Sequence, residues 1–147
     1  MIYLVDTNIL LRVLRRTDPR RAIVRGAART LRTNSHELHA TSQNFTEFWN
    51  ASTRPMNRNG FGLTPTETGR LLWIAERLFP LLPDSLAIYP EWRRLVVEYS
   101  VSGVQVYDAR LVASMLVHNV THILTFNTSD FARYAPEGIV AVDPTTV

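Results

Sequence analysis

Four carboxylates in this chain, Asp6, Glu47, Asp108 and Asp130, stand beside apolar runs rather than inside polar stretches. Met1 to Val5 precede Asp6, and Phe45, Phe48 and Trp49 surround Glu47. Val104 and Val106 lead into Asp108, and His122 to Phe126 come shortly before Asp130. Charge placed near a core is costly unless something compensates it. Acids gathered at one edge of a sheet most naturally share a hard cation, and magnesium and manganese favour oxygen ligands. A water on such a cation is more acidic than bulk water and can attack phosphorus in line with the leaving oxygen, while the cation offsets charge on the phosphoryl oxygens. Without metal the acids repel, so at least one should have a raised pKa. Each acid alone has a plainer reading: Asp6, Asp108 and Asp130 as helix caps or turn residues, Glu47 as a solvated helix glutamate. The ordered set is what points to chemistry.

The elements that must position them alternate between strand and helix. Residues 2 to 5 read as a short buried strand, apolar at every position. Thr7 or Asn8 can cap a helix through Ile9, Leu10, Val13 and Leu14. Asp18 and Pro19 then read as cap and first residue of a second helix, with Ala22, Ile23, Ala27 and Leu31 at helical spacing. Residues 36 to 41 form a candidate strand, 43 to 52 a helix carrying Glu47, and 55 to 63 a loop. Thr64-Pro65-Thr66-Glu67 is a capping box opening a helix to Leu78. Leu81-Leu82 reads as a brief strand or a turn. Helices are expected over 90–99, 107–118 and 129–134, and strands over 122–126 and 139–142. This alternation predicts an α/β fold, a three-layer sandwich with a mostly parallel central sheet flanked by helices. In such sheets functional residues gather beyond the carboxyl ends of the strands.

Composition sets the outer bounds. A chain of 147 residues, 46% hydrophobic, reads as one domain spanning 1–147 and as folded rather than disordered. No apolar run nears the roughly 18 residues of a membrane span, and Ile2 to Val5 is too short for a secretory signal. Cysteine is absent, which removes disulfides and thiolate metal sites and suits a reducing cytoplasm. All sixteen basic residues are arginine. Residues 1–35 carry eight arginines against two aspartates, a net +6; residues 36–147 carry eight against eleven acids, a net −3. The N-terminal excess can meet phosphates or an acidic protein partner, or can be two solvated helix faces.

The segments Val5-Asp6-Thr7-Asn8-Ile9-Leu10, Phe45-Thr46-Glu47-Phe48-Trp49, Tyr107-Asp108-Ala109-Arg110-Leu111-Val112-Ala113 and Leu124 to Phe131 resemble the PIN-domain nucleases in order, spacing and flanking residues, from residue 2 to about 143. The similarity is greatest to the small PIN toxins of bacterial type II toxin–antitoxin pairs (VapC-like). The resemblance implies a Mg2+- or Mn2+-dependent endoribonuclease with Asp6, Glu47 and Asp108 as metal-binding acids. Many relatives place the fourth aspartate two residues after the threonine equivalent to Thr125; here that position is Asn127, and the carboxylate follows as Asp130. Asp130 is therefore the expected fourth acid, with Asn127 a neighbour in the pocket. Thr7 and Thr125, with Asn8, are expected to support the acids. Arg12, Arg15, Arg16 and Arg58 are expected to contact RNA or an antitoxin. The resemblance further implies a cognate antitoxin and a homodimer, with Leu10, Leu14, Trp49 and Leu72 as contributors to the dimer contact.

Competing motifs are weaker. His118 and His122 have the i, i+4 spacing of a zinc pair, but Val120 and Thr121 begin the next strand. Ser114 and His118 lack an orienting acid. No phosphate-binding glycine motif is present. Trp73, Phe79 and Trp92 read as packing residues. Two rival classes are a catalytically weak PIN-like module binding RNA or protein, and a magnesium-dependent phosphatase with Asp6 as nucleophile. The second usually wants another acid at position 8, which is Asn, and leaves Glu47 without a role.

Overall fold

A computed structural model describes residues 1–147. Its centre is β1 (Ile2–Val5), whose apolar residues meet a packed layer on each side: Tyr3 and Val5 face one core, Leu4 the other. Beside it lie β2 (Glu37–Thr41) and β4 (His122–Leu124), with β3 (Leu81–Leu82) and β5 (Val140–Val142) outside them. The order is β3-β2-β1-β4-β5 and every pairing is parallel, so the sheet is wholly rather than mostly parallel. The chain builds outward from β1 to β3, then crosses to the other side for β4 and β5. That reversal makes the gap between the carboxyl ends of β1 and β4 a topological switch point, where α/β sheets open a crevice.

Helices cover both faces. α1 (Thr7–Leu14), α2 (Arg21–Thr33), α3 (Ser42–Thr53) and α4 (Pro65–Leu78) bury Leu10, Val24, Phe48 and Ala75 on one side. α5 (Ile88–Glu98), α6 (Gln105–Val117) and α7 (Thr128–Phe131) bury Leu95, Leu111, Met115 and Phe131 on the other. No helix is long and apolar enough to cross a membrane.

Several boundaries differ from the sequence reading. Asp6 itself, not Thr7 or Asn8, caps α1, its carboxylate accepting from the Thr7 N–H at 2.7 Å. Asp18 does not cap α2, which starts three residues later at Arg21. Its carboxylate is taken instead by the Arg20 N–H (2.8 Å) and the Arg12 guanidinium (3.3 Å), which fix a turn before the helix. α6 begins at Gln105, so Asp108 lies inside its first turn rather than at its cap, and Val104 and Val106 form no strand. Asp130 likewise sits inside α7, where Asn127 holds the cap position. The Thr64 capping box on α4 is formed as expected, and Leu81-Leu82 pairs with β2. Phe79 is buried and Trp92 is half-buried, donating to the Val106 carbonyl, but Trp73 is exposed, with Arg77 stacked on it at 3.9 Å.

The segment between α3 and α4 folds back on itself. The Gly60 and Gly62 N–H groups donate to the Pro55 and Arg54 carbonyls, and a Cβ on Gly60 would lie 1.8 Å from the Arg54 oxygen. Because backbone has no rotamer to yield, Gly60→Ala should destabilise the chain by about 1–3 kcal/mol. Thermal denaturation checks this; an unchanged midpoint would show that the turn rearranges freely.

Candidate active site

The carboxyl ends of β1 and β4 supply the innermost residues. Asp6 leaves β1 with its N–H on the Leu124 carbonyl, and Thr125 leaves β4 with its N–H on the Val142 carbonyl (both 3.0 Å). The two side chains meet across the switch point: the Thr125 hydroxyl donates to Asp6 Oδ2 at 2.7 Å. Asn8 donates to the same oxygen at 3.2 Å and contacts the Thr125 hydroxyl at 3.3 Å. Both Asp6 oxygens are thus held, and the residue is only 7% exposed. A carboxylate fixed by three donors is built to present its remaining lone pairs in one direction. It is poorly placed to swing out as a phosphatase nucleophile.

Thr7 joins this centre to Glu47. Its N–H serves Asp6 while its hydroxyl donates to Glu47 Oε2 at 2.6 Å. Behind it, the fully buried Asn44 caps the start of α3 through Oδ1, accepting from the Thr41 N–H and hydroxyl, and donates through Nδ2 to Thr7 Oγ1 at 3.2 Å. Gln43, one helical turn before Glu47, donates to Glu47 Oε1 (2.9 Å) and to the Tyr107 carbonyl (2.8 Å). The Arg110 guanidinium in turn donates to Gln43 Oε1 at 3.2 Å. Local helix geometry therefore fixes Glu47 from α3 itself, and the Gln43 amide ties α3 to α6, the helix that carries Asp108.

Electrostatics connects the four acids. Burial pushes Asp6 up to about 6, against the Thr125 and Thr7 hydrogen bonds that favour its anion; the charges of Glu47 and Asp130 add to the rise. Burial also raises Asp108 to about 7, followed by the charges of Asp6, Asp130 and Glu47, with Arg133 pulling the other way. Three acids from helix starts and Glu47 from the middle of α3 thus act on one another, and negative charge is in excess. The cluster is open: no three His, Asp or Glu side chains close into a ready-made metal cage. An all-oxygen donor set with carboxyls destabilised as anions fits a hard divalent cation that keeps several waters. Beside Glu47, a groove of about 690 Å³ runs between α3 and the start of α6, lined by Gln43, Asn50, Arg54, Tyr107 and Arg110 among others.

The other expected residues divide. Asn127 gives its N–H to the Thr125 hydroxyl (3.0 Å) and its carbonyl to the Asp130 N–H (3.0 Å), and its exposed side chain makes no hydrogen bond. Arg12 is bound to Asp18 and lies 5.3 Å from the Phe126 ring centre, so it does not reach the acids. Arg15 stacks on Phe61 at 3.7 Å, while Arg16 and Arg58 are exposed and touch none of the acids. His118 is spent on the Pro83 carbonyl and His122 lies on β4, so they form no zinc pair. Gln43, Asn44 and Arg110 escaped the sequence reading. The Gln43–Glu47 spacing and the Thr41/Asn44 cap were signals for the first two; nothing in the sequence linked Arg110 to Gln43.

A five-stranded parallel sheet with an acid cluster at its switch point defines the class as an open α/β fold with an acid-lined carboxyl edge. A profile of the PIN domain matches residues 3–136, and the chain belongs to that family. Solved structures with the same fold include VapBC2 from Rickettsia felis bound to a DNA fragment from its promoter (TM-score 0.71, 14% identity, covering 97% of this chain and 98% of that one). FitAcB from Neisseria gonorrhoeae gives 0.67 at 20% identity, covering 100% of both chains. A toxin–antitoxin complex from Klebsiella pneumoniae gives 0.65 at 21%, covering 97% of both. No curated protein sequence matches the chain significantly.

Proposed function

We propose that this chain is a magnesium- or manganese-dependent endoribonuclease acting in the cytoplasm as the toxin of a toxin–antitoxin pair. The observation that carries the reading is the gathering of four acids around the β1–β4 switch point, where burial first, and then the charges of Glu47 and Asp130 among others, raise Asp6 to about 6 and Asp108 to about 7. In this reading Asp6, Glu47, Asp108 and Asp130 hold the cation. Bound there, it supplies an acidified water as nucleophile and offsets charge on the scissile phosphate. Thr7 and Thr125 fix the directions of Glu47 and Asp6, Asn8 steadies both Asp6 and Thr125, and Gln43 keeps α3 and α6 at a set separation. Asn127 lends an amide oxygen at the rim without adding charge. The groove beside Glu47 offers Tyr107 for stacking on a base and Arg54 and Arg110 for phosphates.

The toxin assignment is supported by the company the fold keeps, since its structural neighbours are toxin–antitoxin complexes. An antitoxin segment with acidic residues suits Arg54 and Arg110 in the groove beside Glu47. The homodimer is retained with a changed surface. Leu10 and Leu14 are buried in the core and are not available to a partner, whereas Trp49 and Leu72 line a surface groove next to the exposed Trp73 and Ile74. We read residues 1–147 as one domain.

The test is end-mapped cleavage of total cellular RNA by the purified chain with Mg2+ or Mn2+ and with EDTA. Discrete cuts that vanish with EDTA are expected. RNA binding without cleavage by a folded, metal-loaded chain would favour a catalytically weak binding module instead. The Thr125 hydroxyl gives a finer check. Thr125→Val should weaken Mn2+ binding by about 10–100-fold in calorimetry, and Thr125→Ser should restore most of it. Equal affinity for the valine variant would remove Thr125 from its supporting role.

A further inference from the structure

We propose that the arginine-bearing flank of α2, along its groove with the end of α4, is an RNA-backbone track leading away from the acid cluster, an inference that rests on reading the chain as a ribonuclease. Arg21, Arg25, Arg29 and Arg32 recur at i, i+4, i+8 and i+11, so all four fall on one side of the helix and span about 16 Å of its length. α2 contains no acidic residue, and none of the four forms an ion pair. A helix face that served only solubility would interleave glutamates at i, i+4; like charges at that spacing cost about 0.2–0.5 kcal/mol per pair. Uncompensated repulsion of this kind is relieved by a polyanion.

The stripe is also braced. Arg21 donates to the Val13 carbonyl (3.0 Å), and Arg32 donates to the Leu78 carbonyl (2.6 Å) with its guanidinium 5.6 Å from the Phe79 ring centre. Between these pinned ends, Arg25 and Arg29 are exposed without a hydrogen-bond partner and flank a groove of about 480 Å³ between α2 and the end of α4. Successive arginines rise about 6 Å, a step over which a flexible sugar–phosphate backbone can pass from one phosphate to the next.

Direction decides between RNA and an acidic protein segment. The N-terminal end of α2 lies at the carboxyl edge of the sheet, where Arg20 and Arg12 both stack on Phe126 (4.8 and 5.3 Å). The Phe126 N–H faces Asn8, which holds Asp6. The arginine face therefore continues from the acid cluster toward the opposite edge of the sheet. A substrate strand leaving the acids would follow that line, and a repeating charge suits a repeating backbone.

The test measures binding of a labelled single-stranded RNA of about 30 nucleotides by anisotropy, in EDTA so that no cleavage is needed, across a salt series. Arg25→Gln/Arg29→Gln should weaken binding at least tenfold at low salt and flatten the log–log salt slope by roughly 1.4, or about 0.7 per phosphate lost. Arg25→Lys/Arg29→Lys should keep the slope. Arg93→Gln, on the far face, should match wild type. An unchanged slope in the glutamine variant, with its circular dichroism intact, would overturn the track. So would binding of a polyglutamate peptide by a wild type that ignores the RNA. Metal-dependent cleavage that persists alongside an unchanged slope would leave the nuclease reading standing and remove only the track; salt-sensitive binding through α2 without cleavage would do the reverse.

Discussion

Asp6→Asn and Asp108→Asn should each reduce metal-dependent RNA cleavage by at least about 100-fold, because removing even an outer-shell partner of a metal site costs 10–100-fold. The two substitutions act differently. Asparagine at 6 keeps one acceptor for the Thr7 N–H but turns the second oxygen into an amide NH2, which can accept from neither Thr125 nor Asn8. Asparagine at 108 keeps the helix position and removes only charge. Loss of activity in both, with circular dichroism spectra like wild type, is the expected pattern in an end-mapped RNA digest. Cleavage unchanged in both variants would mean that these acids are not the site and that the activity comes from a contaminant or another part of the chain.

A second large effect concerns pH and metal together. Asp6 and Asp108 titrate near 6 and 7 in the folded chain against an ordinary value of 3.8. Between those limits the folded state binds more protons than the unfolded one, so the unfolding free energy falls as pH rises. The favourable contribution is present below about 4 and is lost by about 7. For the buried Asp6 the rise from 3.8 to about 6 corresponds to something on the order of 3 kcal/mol. In EDTA at pH 7.5, Asp108→Asn should therefore melt above wild type by roughly 2–8 °C, and the gap should close toward pH 4. Mg2+ should raise the wild-type midpoint strongly at pH 7.5, little at pH 5, and hardly at all in the variant. A variant that melts below wild type at pH 7.5 without metal would show that Asp108 carries a favourable folded-state interaction, and the charge-excess account would fail.

Much of this was legible in the residues themselves. An uninterrupted apolar run at 2–5 reads as a strand buried on both faces, and strands of that kind belong to parallel sheets with helices on both sides. The capping box at Thr64 named the start of α4 because its hydrogen bonds are local. The four PIN-like segments, in order, marked Asp6, Glu47, Asp108 and Asp130. Boundaries failed where a side chain chose a tertiary partner over a local one. Asp18 binds Arg12 instead of capping α2, and Asp108 lies within a helix that starts at Gln105 with no side-chain cap to mark it.

What the sequence determined by itself was therefore periodicity, the capping box of α4 and the presence of four acids, since each depends on residues within a few positions of one another. The tertiary structure alone decided how those acids relate. Thr7 serves Asp6 with its backbone and Glu47, forty positions away, with its hydroxyl. Thr125 reaches Asp6 only because β4 lies against β1 at the switch point. The raised pKa values of Asp6 and Asp108 arise from burial and from charges brought close by the sheet, and no local pattern of residue types encodes either distance or dielectric.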